Sequence, residues 1–294
     1  MEQIKDIQQY KELLRWNKSR FDGIQTNCIL LSSGMRPFIE EGRLYFESYP
    51  EGIALFIDEG RYFNLYYFWN QNAPFASFHR SKPVLVEEVN NNGSRDACLA
   101  ETERKLVNAG FALVRNNVQV EKQQKPGELP VADAPQPFRT EDILAAAGLS
   151  LQICRDEQSF RQVTALWERY LGSTDVPLDH FTMKSDAVIL NAVTAERMVA
   201  ATQFWKNSGR SSECRHTVTH PDYYRHGLAM ALIQAWLETT EKQGVCRWFT
   251  WISDKNSPSL ALFHKMGFRQ NGRISKQYIL ERPANKSQVE ISDF

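Results

Sequence analysis

No run in this 294-residue chain approaches the roughly 20 consecutive apolar residues that a bilayer crossing needs, so a membrane-spanning helix is not expected. Neither sign of charge dominates: 35 Lys and Arg stand against 35 Asp and Glu. A balanced chain has no global basic field with which to recruit nucleic acid, and neither nucleic acid nor membrane is expected as a partner. The five cysteines (Cys28, Cys98, Cys154, Cys214 and Cys246) include no Cys-x-x-Cys pair. Five scattered thiols fit a reduced, cytoplasmic protein better than a disulfide framework or a zinc site. There is no Gly-x-Ser-x-Gly nucleophile motif and no His/Glu spacing suited to a metal, so neither covalent catalysis nor a metal centre is expected. Residues 1–20 are charged throughout and lack the apolar core of a signal peptide.

What is present is an ordinary globular composition, 42% hydrophobic and 24% charged. At about 150 residues per domain the length suggests two domains. The boundary is expected at 123–139, where four prolines fall within a stretch of small and polar residues. That gives an N-terminal domain at 1–122, a linker at 123–139, a second domain at 140–282 and a flexible polar tail at 283–294. The first domain reads as a helix near 2–19, strands at Leu44–Tyr49, Ile53–Ile57, Tyr62–Trp69 and Pro83–Val89, a helix at Ser94–Ala109 and a strand from Phe111. In the second, helices at 141–147, 156–171, near 178–184, 228–242 and 257–265 alternate with strands at 149–154, 187–193, 198–205, 214–219, 247–252 and 268–280. The two halves echo each other: Lys105–Phe111 and Phe263–Phe268 each close a helix with Gly-Phe before a strand.

The most informative segment is Thr217-Val-Thr-His-Pro-Asp-Tyr-Tyr224-Arg-His-Gly227-Leu-Ala229. A strand ends and a helix begins within ten residues, and Gly227 and Ala229 leave the backbone open to a ligand. The first amides of a helix have no internal partner and carry partial positive charge, which suits a diphosphate. Leu228, Ala231, Leu232, Ala235 and Trp236 recur at helical spacing, so one face of this helix should be buried and its start held rigidly. An ordinary strand–turn–helix with an incidental glycine would look similar.

Two stretches resemble one family. Tyr224-Arg-His-Gly-Leu-Ala229 resembles the Gln/Arg-x-x-Gly-x-Gly/Ala signature of the GNAT superfamily of N-acetyltransferases. Asn256-Ser-Pro-Ser-Leu-Ala-Leu-Phe263-His-Lys-Met-Gly267-Phe268 resembles its second signature, Asn-x-x-Ala-x-x-Leu-Tyr-x-x-x-Gly-Phe, in the right order with one strand between. The resemblance covers about residues 148–281. It implies a tandem GNAT-like fold of the α+β or α/β class, with mixed, mostly antiparallel sheets flanked by helices and central strands that splay apart in the second domain. It further implies acetyl-CoA or another short acyl-CoA as co-substrate. Tyr224, Arg225, His226, Gly227, Leu228 and Ala229 would hold the pyrophosphate, Val218 and Thr219 the pantetheine, and Asn256, Ser259 and Phe263 the cofactor from the second motif. The amide of Thr217 would polarise the thioester carbonyl. The acceptor would be a small-molecule or peptide amine, and the protein a monomer or homodimer.

Two positions depart from the pattern. Tyr224 replaces Gln or Arg, which a site built from backbone groups should tolerate. Phe263 stands where the family usually has the tyrosine that reprotonates the leaving thiolate, and phenylalanine has no proton to give. His264 lies about 100° further round the helix and does not simply replace it. An attacking amine must also lose a proton. Glu213, four residues before Thr217, is the leading candidate base, with His216 and His220 beside the proposed thioester position. Each has a plainer reading as a packed or solvated side chain. The leading expectation is an acyltransferase acting through direct attack in a ternary complex. The rival is a catalytically weak acyl-CoA-binding or sensing protein. The connection Asn70–Lys82 is too short for a phosphate turn and a crossover helix, so the first domain is expected to be a degenerate copy without its own CoA site.

Overall fold

The computed structural model describes residues 1–21, 23–28, 32–75, 78, 80–90, 96–124, 140–171, 187–194, 197–207 and 210–281. The expected helix near 178–184, the tail from 283 and most of the proline-rich stretch lie outside the described residues. In chain order the elements are β1 (Glu2–Gln3), α1 (Ile7–Arg20), β2 (Ile24–Thr26), α2 (Ser32–Glu40), β3 (Leu44–Tyr49), β4 (Gly52–Asp58), β5 (Phe63–Asn70), β6 (Val84–Asn90), α3 (Asp96–Asn108) and β7 (Ala112–Gln123). They continue with α4 (Thr140–Ala146), β8 (Ser150–Ile153), α5 (Glu157–Leu171), β9 (Ala187–Val193), β10 (Met198–Lys206), β11 (Ser211–Thr219), α6 (Leu228–Glu241), β12 (Arg247–Ser253), α7 (Ser257–Lys265) and β13 (Arg269–Leu280). Two compact units divide the chain: Met1–Asn116 with Ser275–Phe294, and Asn117–Ile274. Their boundaries fall inside β7 and β13.

In the first unit the strands run β1-β3-β4-β5-β6-β13, with β2 added on β5. The pairs β1–β3, β3–β4 and β4–β5 are antiparallel, whereas β5 and β6 are parallel and share only the register Phe63↔Val84, Asn64↔Leu85. Tyr10, Met35 and Ile39 of α1 and α2 pack with Leu44, Leu55 and Ile57 in one core. Phe56, Leu65, Tyr67, Trp69, Phe75, Phe78 and Leu106 form another. The aromatic run in β5 is therefore buried strand packing. The described residues of the 71–82 connection contain no helix, and its Phe75 and Phe78 pack edge-on against Tyr67 and Trp69.

Beyond the unexpected β2 and unit boundaries that fall within β7 and β13, two helices differ from the sequence reading. The first helix begins at Ile7 rather than near residue 2. Asp6 caps it by accepting from the amides of Gln8 and Gln9, and Glu2 and Gln3 pair with β3 instead. The α2 helix was not expected, because Gly34 and Pro37 lie within it.

In the second unit the order is β7-β12-β11-β10-β9-β8. The β7 segment, which precedes the proline-rich stretch in sequence, runs antiparallel to β12 from Asn117↔Ser253 to Gln123↔Arg247. Val163, Leu166 and Trp167 of α5 cover one face over Ile189, Ala201 and Val218. The other face, with Val199, Ala200, Phe204 and Cys214, is covered by α6 and by Leu144 of α4. The five residues expected to form the buried stripe of α6 are all buried. Two indole N–H groups fix that helix: Trp236 Nε1 donates to Ser212 Oγ at 2.9 Å, and Trp248 Nε1 to Thr240 Oγ1 at 2.8 Å.

The internal echo is structural as well. Phe111 N donates to Leu106 O and Phe268 N to Phe263 O, each at 3.0 Å, with Gly110 at φ 92° and Gly267 at φ 87°. Both helices thus end in the same glycine-closed motif, which requires a left-handed residue at that point.

Candidate active site

The site begins where β11 and β12 part. These two strands are parallel, and their register covers only Ser211↔Arg247, Ser212↔Trp248 and Glu213↔Phe249. Beyond Glu213 their pairing ends, so Cys214–Thr219 borders the splay that the family resemblance implies. On its other side β11 stays paired with β10, with an irregularity: the register steps from Gln203↔Arg215 to Ala201↔Val218. Thr202 alone therefore stands opposite both His216 and Thr217. His216 has φ 55°, a left-handed conformation rare for a residue with a side chain. One extra residue with this geometry is a β-bulge, which turns a backbone group out of the ladder.

The bulge sorts the candidate side chains onto two faces. Towards α5 lie Glu213, Arg215 and His216. Arg215 Nε donates to Glu213 Oε1 at 2.6 Å, and its guanidinium sits 5.0 Å from the centre of the Trp205 ring. His216 Nδ1 is 3.1 Å from Gln203 Oε1, and its ring is 5.2 Å from that of Trp167. Towards α6 lie Cys214 and Thr217, both bonded to the hydroxyl of Thr202. Burial pushes the Cys214 thiol up to about 11, which makes it a packing group and a poor nucleophile. Val218 is in the α5-side core, and the Thr219 hydroxyl is buried with no hydrogen bond among the described residues.

After Thr219 the chain turns sharply. His220 Nδ1 accepts from Asp222 N at 3.3 Å and caps a single 3-10 turn, Pro221–Tyr223. Tyr224 is extended and exposed, Arg225 has φ 66°, and Gly227 has φ 79° as the N-cap of α6. Gly227 supplies no side-chain cap. Among the described residues, the amides from Arg225 to Met230 make no hydrogen bond within the protein. Successive left-handed residues running into an uncapped helix form a concave array of N–H groups with positive character.

The glycine has a further reason to be there. A β-carbon on Gly227 would stand 3.3 Å from Cγ2 of Ile143 on α4. The space beside it is thus filled by protein, where the sequence reading placed ligand clearance.

The second motif is at α7. Asn256 caps that helix by accepting from Ser259 N at 3.2 Å, so these two candidates are together. Phe263 is 4% exposed, shares its core with Leu228, Leu232 and Trp236, and meets Phe268 edge-on at 5.0 Å. Lys122 of β7 donates to Met266 O at 3.1 Å beside Gly267, and burial lowers its pKa.

Residues 153–268 match the family described as "Acetyltransferase (GNAT) family". This stretch is a GNAT-family domain. Solved structures of the same fold include a GCN5-related N-acetyltransferase from Kribbella flavida, 14% identical, with TM-score 0.51 over 83% of this chain and 91% of that one. A second, from Sphaerobacter thermophilus, is 12% identical with TM-score 0.51 over 79% and 81%. A tandem GNAT protein from the clavulanic acid biosynthesis pathway is 15% identical with TM-score 0.53 over 80% of each chain. At these identities the likeness is one of fold, and that fold is a tandem GNAT-like arrangement of mixed, mostly antiparallel sheets flanked by helices. No curated protein matches the chain.

Within the GNAT domain, sequence reading missed Thr202, Gln203 and Arg215. Their signals were nonetheless present: two polar residues interrupt the apolar strand Val199–Trp205, and Glu213 and Arg215 share one face of β11 at spacing two. Among the described residues no group of His, Cys, Asp and Glu converges as a metal site, and no helix is long and apolar enough to cross a membrane.

Proposed function

We propose that the GNAT domain transfers an acetyl or other short acyl group from acyl-CoA to a primary amine, on a small molecule or a peptide, by direct attack in a ternary complex. One observation carries this reading: β11 leaves β12 after Glu213 and leads, through a turn of unbonded amides, into the uncapped start of α6. That opening has the character a thioester with a diphosphate needs. The amides of Arg225 to Ala229 face the charge, and the Thr219 hydroxyl and the Val218 backbone border the path of the pantetheine. Acyl-CoA supplies an activated carbonyl and a thiolate leaving group. On this reading the amide of Thr217, beside the bulge, donates to that carbonyl oxygen as charge builds on it. Glu213 takes the proton of the attacking amine, directly or through water. His216 is the alternative base. The new C–N bond forms as the C–S bond breaks, and the thiolate departs with the CoA.

Phe263 favours a second reading, an acyl-CoA-binding or sensing protein with weak turnover. Its ring is buried against Phe268 and provides no acid. Calorimetry with acetyl-CoA, followed by thiol release across a panel of amines, separates the two. Binding with thiol release supports the transferase, binding without release supports the sensor, and no binding to folded protein at high micromolar concentration overturns both. Phe263→Tyr should raise the rate of thiol release if the missing acid limits turnover.

A further inference from the structure

We infer that Thr202 is a positioning residue for acyl transfer, holding the bulge of β11 so that the Thr217 amide faces the thioester. The inference rests on the reading of β11 as the acyl-CoA strand.

A left-handed residue with a side chain is strained in a β-strand, so the bulge at His216 needs an external hold. Two adjacent residues of β10 supply it from opposite faces of the sheet. Towards α6, Thr202 Oγ1 lies 2.6 Å from Thr217 Oγ1 and 3.1 Å from Cys214 Sγ, and the third side of the triangle, Cys214 Sγ to Thr217 Oγ1, is 3.4 Å. Towards α5, Gln203 Oε1 lies 3.1 Å from His216 Nδ1. The left-handed residue and the one after it are thus each tied to β10. Of the two ties, the inner one sets Thr217. Thr202 is completely buried, so water cannot replace its hydroxyl. An ordinary strand position needs no such group: Ala200 and Phe204, on the same face of β10, are apolar. Thr202 touches neither the proposed cofactor nor the acceptor, and it acts only by fixing where the Thr217 N–H points. An oxyanion donor works by being in place before charge develops, so a misplacement of about 1 Å can cost on the order of 10²-fold in rate.

Thr202→Val removes the hydroxyl at nearly constant volume, and Thr202→Ser keeps it. The probe is acetyl-CoA labelled with ¹³C at the acetyl carbonyl, bound to the full chain and observed by infrared difference spectroscopy, with affinity measured by calorimetry. The expected result is a carbonyl stretch lowered on binding to the wild type, returned towards its free value in Thr202→Val at unchanged affinity, and lowered again in Thr202→Ser. The acyl-transfer kcat should fall about 10- to 100-fold in Thr202→Val with little change in the KM for acetyl-CoA. Should Thr202→Val fail to fold, Thr217→Val breaks the same bond from its other end and should give the same spectrum. A carbonyl shift that survives both valine variants at unchanged affinity overturns the proposal. Absence of acetyl-CoA binding to the wild type overturns the acyl-CoA reading and this proposal with it.

Discussion

Arg215 Nε donates to Glu213 Oε1 across 2.6 Å, between two residues on the same face of β11. The pair lies where β11 and β12 last share register, at Glu213↔Phe249. The ion pair holds the carboxylate where the two strands part, which is what the proposed base role for Glu213 calls for. Glu213→Gln is expected to lower acyl-transfer kcat about 10²-fold while leaving acetyl-CoA affinity unchanged. Arg215→Leu should lower it less, because the carboxylate remains but loses its orientation. The pH–rate profile distinguishes a base from a merely structural group: the acidic limb, where the rate rises as the base loses its proton, should vanish in Glu213→Gln. If the profile and rate survive, Glu213 is not the base, and His216→Gln becomes the decisive variant.

Gly227 and Ile143 form a second testable relationship. The glycine has φ 79°, and an added β-carbon would press on Ile143 Cγ2 at 3.3 Å. Gly227→Ala therefore carries a backbone cost of about 1–2 kcal/mol plus a contact that Ile143 must relieve. Chemical denaturation should show the loss, and calorimetry a weaker acetyl-CoA site. The double variant with Ile143→Ala removes the contact but not the φ cost, so it should not recover all of the CoA affinity lost in Gly227→Ala. Complete recovery would show that packing alone selects glycine.

The limits of sequence reading at this site follow from what the signals encode. Strand and helix periods placed β11, α6, β12 and α7 because each buries one face, and burial writes a pattern. The amide array was legible because Gly227 marks a left-handed position before an apolar helix. The bulge was not. It depends on how β10 pairs with β11, and no local pattern at Thr202 or His216 announces a register step. The partners of Glu213 and the Ile143 contact are likewise tertiary. The α2 helix was missed for a different reason: Gly34 and Pro37 argue against a helix locally, and packing of Met35 and Ile39 in the core outweighs them.

The first unit repeats the splay and closes it. β5 and β6 part after Asn64↔Leu85, and at that point Asn27 Nδ2 donates to Leu65 O at 3.0 Å and to Glu87 O at 3.2 Å, while its Oδ1 accepts from Tyr67 N at 2.9 Å. β2 then runs along β5 from Thr26↔Phe68 to Ile24↔Asn70. The unit's own chain thus bonds backbone groups of both strands where they part. Titration is expected to give one acetyl-CoA per chain, all of it lost in Gly227→Glu. Residual binding in that variant would locate a second site elsewhere. Asn27→Leu should leave three backbone groups unsatisfied and cost about 1–3 kcal/mol in denaturant melts.

Tyr67 and Glu88 bridge the same splayed pair further on, with Tyr67 Oη donating to Glu88 Oε1 at 2.7 Å. Burial is the main cause that raises this carboxyl to about 8. The carboxylates of Glu87 and Glu103 push the same way, and the Tyr67 hydrogen bond opposes them. Glu87 is itself held by the Ser275 hydroxyl and Glu103 by the Lys276 ammonium. The folded protein therefore binds a proton on Glu88 that the unfolded chain, near the ordinary value of 4.5, releases. Stability from this group is fully present below that ordinary value, declines by about 1.4 kcal/mol per pH unit above it, and has been lost once pH passes the folded value. Glu88→Gln fixes the neutral form, and its amide oxygen can still accept from Tyr67. Its advantage over the wild type in denaturant melts should be small near pH 5, grow steadily towards pH 8 and level off above it. A constant difference across that range would mean that Glu88 is already ionised in the folded protein.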